Sequence, residues 1–233
     1  TLSRSLIGDV RTDYKYDTKG NLTEETTAPF GTVKTEWRQD FSLPVSREDR
    51  NSITQSWVYD SRGNLTKYTD GDSKVYTYIP MASGERGSAT NPRKFTTSYA
   101  YDGYGNPDTV TEPDTGDGPA VTDYDYDIRG RLAAVTDPEG NKTEYMYDDL
   151  DYRSEIIYPP ITEYSMPPGS DLSHRYDYDP VGNLAEETDR LGLTLKYTHT
   201  SREQVETVTR VGIGGTKTFG YDANGNPESE TDW

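Results

Sequence analysis

The feature that most constrains the fold of this chain is a repeated turn sequence, Tyr-Asp-x-x-Gly, which returns at regular intervals. Its clearest copy opens residues 126–148, YDIRGRLAAVTDPEGNKTEYMYD, a stretch that begins and ends on the same Tyr-Asp pair. Within it, 127–130 and 137–140 each place Asp first and Gly fourth. Asp in the first position of a turn accepts hydrogen bonds from backbone N–H groups two residues on, and Gly in the fourth tolerates positive φ. Short runs of strand-forming residues separate the two turns, so the stretch predicts strand, turn, strand, turn.

Aligning the chain on the tyrosine of this turn reveals a period. Clear copies begin at Tyr16, Tyr59, Tyr101, Tyr126, Tyr178 and Tyr221. Several intervals between them are 42 or 43 residues, about twice the 21 residues of the reference stretch, so each is predicted to hide a degenerate copy. Filling the gaps gives ten repeat units, anchored near residues 16, 39, 59, 78, 101, 126, 147, 178, 199 and 221. The alignment puts Gln39, Tyr78 and His199 in the tyrosine position.

This period predicts an all-β fold: a single array over 1–233 of antiparallel β-hairpins, ten units of about 22 residues and about twenty strands. Open twisted sheets rarely exceed ~10 strands. We therefore expect the sheet to coil into a curved spiral or part of a shell or barrel. Aromatic-x-Tyr pairs such as Tyr145 and Tyr147 place both rings on one face, which predicts an aromatic ladder across neighbouring units. Residues such as Lys15 and Asp125 fall on the opposite face, which is predicted to be wet.

Additions to the repeat are concentrated in a few segments. The longest are 81–89, 113–120 and 159–173, all rich in Gly, Pro and Ser. The last two belong to second turns, so the edge of the sheet formed by first turns is predicted to be uniform, with 81–89 as its exception. Surface loops are where specific contacts concentrate. The candidate partner-binding residues are Arg86, Arg93, Lys94, Tyr164 and Met166.

Composition excludes several classes of function. The chain has 41 acidic and 24 basic residues and a formal net charge of −17, which opposes binding to phosphate backbones and predicts no nucleic-acid partner. The absence of cysteine excludes disulfides, thiolate metal sites and a cysteine nucleophile. No run approaches the ~18 apolar residues of a membrane span, so no membrane insertion is expected.

The candidate catalytic and metal-binding residues carry little signal. His174 and His199 have no serine elbow near either of them. The acidic run 123–127 has the spacing of hard-cation ligands, but Ile128 stands where a calcium loop needs Gly. We therefore predict no enzyme activity, no cofactor and no metal site.

Three Asn-x-Thr sequences match the acceptor pattern for N-glycosylation. Each Asn directly follows a turn glycine, where the repeat itself calls for a residue that tolerates the left-handed conformation. The match is predicted to be a by-product of the repeat. The three sites are Asn21, Asn64 and Asn141.

The pattern Tyr-Asp-x-x-Gly-Asn/Arg-Leu, followed by Thr-Asp-x-x-Gly, resembles the YD repeat of bacterial rearrangement-hotspot (RHS) proteins, wall-associated proteins, insecticidal toxin-complex shell proteins and teneurins. The resemblance runs from Tyr14 to Asn226. It implies a spiral of β-hairpins that closes into a hollow shell, often around a carboxy-terminal toxin, in a secreted or cell-surface bacterial protein. Such shells need many more repeats, so this chain is expected to be a fragment of a longer one.

The resemblance makes a structural scaffold the first functional expectation. Its partners would be other repeats of the same or a neighbouring chain, paired through exposed strand edges, and a toxin cargo. The alternative is an extracellular module that binds carbohydrate or a cell surface through exposed tyrosines and insertion loops.

Overall fold

The computed structural model describes residues 11–116, 118–160 and 172–233. These residues form twenty β-strands, divided between two compact halves, Thr1–Ala120 and Val121–Trp233. Strands are the only regular elements in the described ranges, so the all-β prediction is confirmed. No helix with the length and apolar character of a membrane span occurs among them.

Each half contains ten strands. The amino-terminal half holds β1 (Thr12–Tyr16), β2 (Leu22–Thr27), β3 (Gly31–Trp37), β4 (Pro44–Glu48), β5 (Thr54–Tyr59), β6 (Leu65–Thr69), β7 (Val75–Pro80), β8 (Arg86–Thr90), β9 (Thr96–Tyr101) and β10 (Pro107–Thr111). The carboxy-terminal half holds β11 (Val121–Tyr126), β12 (Leu132–Thr136), β13 (Lys142–Tyr147), β14 (Arg153–Ile157), β15 (Ser173–Tyr178), β16 (Leu184–Thr188), β17 (Thr194–His199), β18 (Val205–Arg210), β19 (Thr216–Tyr221) and β20 (Pro227–Glu230). Within each half, every strand pairs antiparallel with the next strand along the chain.

One register rule holds in all ten hairpins. The last residue of the first strand lies opposite the first residue of the second strand, as Tyr59 lies opposite Leu65, and the register shifts directly beside it. We call this last residue the anchor. The anchors are Tyr16, Trp37, Tyr59, Pro80, Tyr101, Tyr126, Tyr147, Tyr178, His199 and Tyr221.

Two anchors differ from the sequence alignment. Trp37, not Gln39, is the second anchor, because the turn that follows it has one extra residue and closes through Arg38 N–H donating to Leu43 O. Pro80, not Tyr78, is the fourth. With these corrections the anchors are 21 or 22 residues apart, except for intervals of 25 and 31 that span the segments 113–120 and 159–173.

The expected insertion at 81–89 does not exist. Met81 to Glu85 form an ordinary five-residue turn, closed by the Met81 N–H donating to Glu85 O at 2.7 Å, and β8 begins at the next residue. The sequence alignment placed this anchor at Tyr78 because the true anchor, Pro80, is a proline in place of an aromatic residue. The predicted exception on the edge of first turns is therefore absent, and the one longer first turn in the described ranges is that of six residues after Trp37.

The turn at Asp102 shows why the repeat needs its Asp, Gly and Asn. Oδ1 of Asp102 accepts the N–H groups of Tyr104 at 2.8 Å and Asn106 at 2.9 Å, and Oδ2 accepts the side-chain amide of Asn106 at 2.9 Å. Gly105 has φ of 89°. Gly105 therefore takes the left-handed position, and the prediction that the following Asn is a left-handed residue is wrong. The side-chain amide of this Asn instead donates a hydrogen bond to the Asp carboxylate.

The two faces of the sheet differ. On the face that carries the anchors, which we call the tyrosine face, Tyr68 lies between Trp57 and Tyr76, with ring centroids 5.6 and 5.7 Å apart. In the carboxy-terminal half the corresponding second-strand positions hold the aliphatic Val135, Ile156 and Val208, of which the last two are buried, and two glutamates, Glu187 and Glu230. The predicted ladder is thus interrupted, because a second-strand side chain separates the aromatic pairs of neighbouring hairpins. On the opposite face Lys15, Asp125, Asp177 and Thr77 are all exposed, as predicted, whereas Ala134 on that face is buried.

Candidate functional site

Six anchor side chains tie their hairpin to the preceding one. The Tyr147 hydroxyl donates to Leu132 O at 2.9 Å, and the indole N–H of Trp37 donates in the same way to Leu22 O at 2.8 Å. In both cases the acceptor opens the second strand of the preceding hairpin. The remaining ties join Tyr59 to Pro44 O, Tyr101 to Arg86 O, Tyr178 to Arg153 O and Tyr221 to Val205 O. Burial raises the pKa of Tyr59 and Tyr178, which keeps these hydroxyls protonated as donors at neutral pH.

The surroundings of Tyr147 show how an anchor ring is held. The guanidinium of Arg131 lies over the ring, 4.4 Å from its centroid, and makes a salt bridge to Asp127 at 2.6 Å. The ring thus lies against a cation that is fixed by the turn of the preceding hairpin, while its hydroxyl reaches a backbone carbonyl. At Tyr147 a cation–π contact and a hydrogen bond act together, and the hydrogen bond is what the other tied anchors share with it.

At the fourth anchor this chemistry is missing and a pocket is open instead. Pro80 has neither a ring that reaches the preceding hairpin nor a donor for Leu65 O, the carbonyl that corresponds to Leu132 O. A cavity of about 400 Å³ lies here, entirely within the amino-terminal half. It is lined by Asn64, Leu65, Tyr78, Pro80, Gly84, Arg86, Tyr99 and Tyr101.

The pocket wall has fixed polar groups as well as aromatic surface. Arg86 places its guanidinium 4.8 Å from the ring centroid of Tyr78, and its carbonyl accepts the hydroxyl of Tyr101 at 3.2 Å. Asn64 is oriented by its amide, which donates to Asp60 Oδ2 at 2.9 Å. The arrangement suits a flat ring with a small number of polar groups. Among the described residues, no group of His, Cys, Asp and Glu side chains is assembled to hold a metal ion.

The structure separates the residues that the sequence grouped as candidate binding loops. Arg86 opens β8 and lines the pocket, whereas Arg93 and Lys94 belong to the turn beyond the other end of that strand. The Arg93 N–H donates to Asn91 Oδ1 at 2.9 Å, and Lys94 takes the left-handed turn position with φ of 70°. Whether Arg93 and Lys94 bind a partner stays a prediction. Tyr164 and Met166 lie outside the described residues.

Sequence reasoning missed Pro80. The signal was present as a break in the aromatic anchors, but it became visible only once the strand register had fixed which residue is the anchor.

A second polar cluster lies on the tyrosine face of the carboxy-terminal half. Glu187 is half-buried. Its Oε2 lies 3.2 Å from Nε2 of His174, and its Oε1 accepts a hydrogen bond from the hydroxyl of Tyr197. The His174 ring stacks on Tyr176 with centroids 4.5 Å apart. Burial and the hydrogen bond to Glu187 raise the pKa of Tyr197. Both carboxylate oxygens are committed to neighbouring strands, so the cluster links β15, β16 and β17.

These features define a class: a protein built of repeated β-hairpins, most of them with a Tyr-Asp turn and an aromatic anchor that reaches the preceding hairpin. Residues 126–159 match the family model described as RHS Repeat. This stretch of the chain therefore carries an RHS repeat, which agrees with the resemblance of the turn sequences.

Two curated proteins are similar in sequence. The chain is 27% identical over 139 residues to the double-stranded DNA deaminase toxin A of Burkholderia cenocepacia, and 33% identical over 101 residues to the tRNA3(Ser)-specific nuclease WapA of Bacillus spizizenii. The matches cover 58% and 42% of this chain but only 10% and 4% of those proteins.

Solved structures share the fold. A crystal structure of TcdB2-TccC3-TEV matches with a TM-score of 0.74 and 14% identity over 95% of this chain and 12% of that one. A structure of the Photorhabdus luminescens Tc holotoxin pore matches with a TM-score of 0.55 and 14% identity over 88% of this chain and 13% of that one. At these identities the likeness is one of fold.

Proposed function

We propose that this chain is a non-catalytic scaffold segment of a secreted or cell-surface bacterial protein, a single repeat array that forms part of a hollow shell around a toxin. The observation that carries the proposal is the anchor tie. Tyr147 and five counterparts join their hairpins to the one before, so that one hairpin provides a binding surface for the next. Repeat proteins of this kind are built by nearest-neighbour contacts.

The comparisons support this proposal at two levels. The fold resembles chains of Tc toxin structures, and the curated relatives bear the names of a deaminase toxin and a nuclease. In each of those relatives the matched part is a small fraction of the whole. We infer that the repeats surround or present such a toxin, while the reaction belongs to another part of the protein. The hydrogen-bonding groups of the anchors serve cohesion, which agrees with a role without catalysis.

Electron microscopy of the native protein that contains this chain tests the proposal. A closed hollow particle with density inside it is the expected result. Protection of the toxin from added protease, lost when the particle is opened by denaturant, would support encapsulation. An open particle with a fully protease-accessible toxin would contradict it.

A second function, binding of carbohydrate or a cell surface, is favoured by the tips of the first turns. Tyr104 is 94% exposed at the tip of its turn in the amino-terminal half. In the carboxy-terminal half Ile128, Leu150 and Val181 are exposed in three successive first turns. Exposed aromatic rings suit the apolar faces of sugars. A glycan array separates the two proposals: binding that is lost in Tyr104→Ala favours adhesion, and absence of binding to any glycan leaves the scaffold.

Pairing with further repeats is also proposed. β20 pairs with β19 on one side, and all four of its residues are exposed. An exposed strand edge is a template for another strand. Sedimentation is expected to show association that increases with concentration, and a stable monomer across micromolar concentrations would contradict it.

A further inference from the structure

We propose that the Pro80 pocket is a receptor for a tyrosine side chain supplied by a partner polypeptide. The pocket occurs at an anchor position, and five hairpins of the same chain fill that position with a tyrosine whose hydroxyl reaches the preceding hairpin. The fold therefore shows which side chain this position accepts. The inference does not depend on the scaffold function.

The walls of the pocket correspond to the surroundings of a filled anchor. Tyr147 lies opposite the first residue of its own second strand and bonds to the first residue of the preceding one. Pro80 occupies the same place in its hairpin. Three residues of the pocket occupy repeat positions that lie beside Tyr147 in its own surroundings. Asn64 corresponds to Arg131, Leu65 to Leu132, and Arg86 to Arg153. A phenol in the pocket would donate to Leu65 O, as Tyr147 donates to Leu132 O. Asn64 stands in place of the stacking Arg131, and the guanidinium of the pocket is that of Arg86.

Shape and polarity favour a phenol over a sugar. The volume of about 400 Å³ lies within the range of small-ligand pockets, roughly 300–1,000 Å³. Tyr78, Tyr99 and Tyr101 supply aromatic wall, and the carbonyl of Leu65 is the acceptor that the repeat uses for a hydroxyl. A phenol has one hydroxyl to satisfy, whereas a pyranose carries several, and a buried polar group without a partner weakens binding.

The test is a titration of the whole chain with N-acetyl-L-tyrosinamide, followed by NMR of the methyl groups. We expect saturable shifts of the Leu65 methyls with a dissociation constant on the order of millimolar, as suits a ligand with few atoms. N-acetyl-L-phenylalaninamide lacks only the hydroxyl and is expected to bind roughly 2- to 10-fold more weakly, the usual net effect of one hydrogen bond. Nuclear Overhauser contacts from the probe ring to the Leu65 methyls locate the site without any mutation.

Two variants at one position provide the matched controls. Pro80→Tyr supplies the missing ring from within the chain and is expected to abolish probe binding. Pro80→Ala leaves the pocket open and is expected to retain it. Saturable binding unchanged by Pro80→Tyr, contacts of the probe ring at another place, glucose binding as tightly as the probe, or no saturable binding in the millimolar range would each overturn the proposal. If Pro80→Tyr does not fold, the Overhauser contacts and the phenylalaninamide comparison decide alone.

Discussion

Two glycines of one turn offer a direct test of how the repeat is specified. Gly105 has φ of 89°, in the left-handed region, while Gly103 lies outside that region in the same turn. A Cβ at Gly103 would meet nothing within 4 Å, and one at Gly105 would meet only Glu85 Oε1, at an ordinary 3.8 Å. Substitution by Ala therefore introduces no collision at either position. The two variants differ in backbone conformation alone.

The expected magnitudes follow from this difference. Replacing Gly by Ala lowers the entropy of the unfolded chain and stabilises by roughly 0.4–1 kcal/mol where the native conformation permits it. Gly103→Ala is expected to show that gain. Gly105→Ala has the same gain but carries the cost of a left-handed Ala, roughly 1–2 kcal/mol. Because the unfolded-state contribution is common to both variants, Gly105→Ala should be less stable than Gly103→Ala by about 1–2 kcal/mol.

Urea unfolding followed by circular dichroism measures this difference through the shift in midpoint at constant slope. The unmutated chain should fall between the two variants. Equal stability of Gly103→Ala and Gly105→Ala would refute the reasoning, because it would mean that the glycine of the repeat is not required for its conformation. A changed slope would instead show that the variants alter the extent of unfolding.

Three further predictions concern the anchor, the turn carboxylate and a turn whose left-handed position holds serine instead of glycine. Tyr147→Phe removes the hydrogen bond to the preceding hairpin and is expected to cost ~0.5–1.5 kcal/mol in urea unfolding, whereas Tyr104→Phe, at an exposed turn tip, should change nothing measurable. The hydrogen bond from the amide of Asn106 lowers the pKa of the Asp102 carboxylate. The stability that this carboxylate contributes is therefore present above its unfolded-state pKa near 4 and is lost as pH falls through the lower folded-state pKa. An acid titration of Asp102→Asn should lack this contribution, and a curve superimposable on that of the unmutated chain would contradict it. Ser73 takes the left-handed position with φ of 62°, so Ser73→Gly is expected to stabilise by roughly 0.5–1 kcal/mol, and a loss of stability would contradict the assigned strain.

The turn could be predicted from the sequence because its chemistry is local. Asp102 and Gly105 act within five residues of each other, and their roles follow from side-chain reach and backbone freedom alone. The role of Tyr147 could not be predicted, because its acceptor lies fifteen residues back in another hairpin. The sequence showed which face the ring shares with Tyr145 but not the strand register that brings the hydroxyl to a carbonyl.

The same distinction explains the candidate site. Arg86 and Arg93 are close in sequence and both basic, which made them look like one loop, yet a strand separates them. Pro80 carries no chemical signal of its own. Pro80 is notable because it lacks the aromatic side chain that most other anchors have. Recognising this requires knowing which residues are the other anchors.

The hairpin that begins with β7 remains joined to its predecessor although Pro80 provides no tie. Arg62, in the first turn of the preceding hairpin, donates through Nη2 to Met81 O at 3.1 Å and through Nη1 to Ala82 O. This link runs between turns at the edge of the sheet, whereas the anchor tie of Tyr147 runs from the end of one strand to the start of another. Cohesion between these two hairpins is therefore maintained by the pairing of β6 with β7 and by this additional link at the rim. The anchor position at Pro80 can therefore be an open pocket while the array stays continuous there.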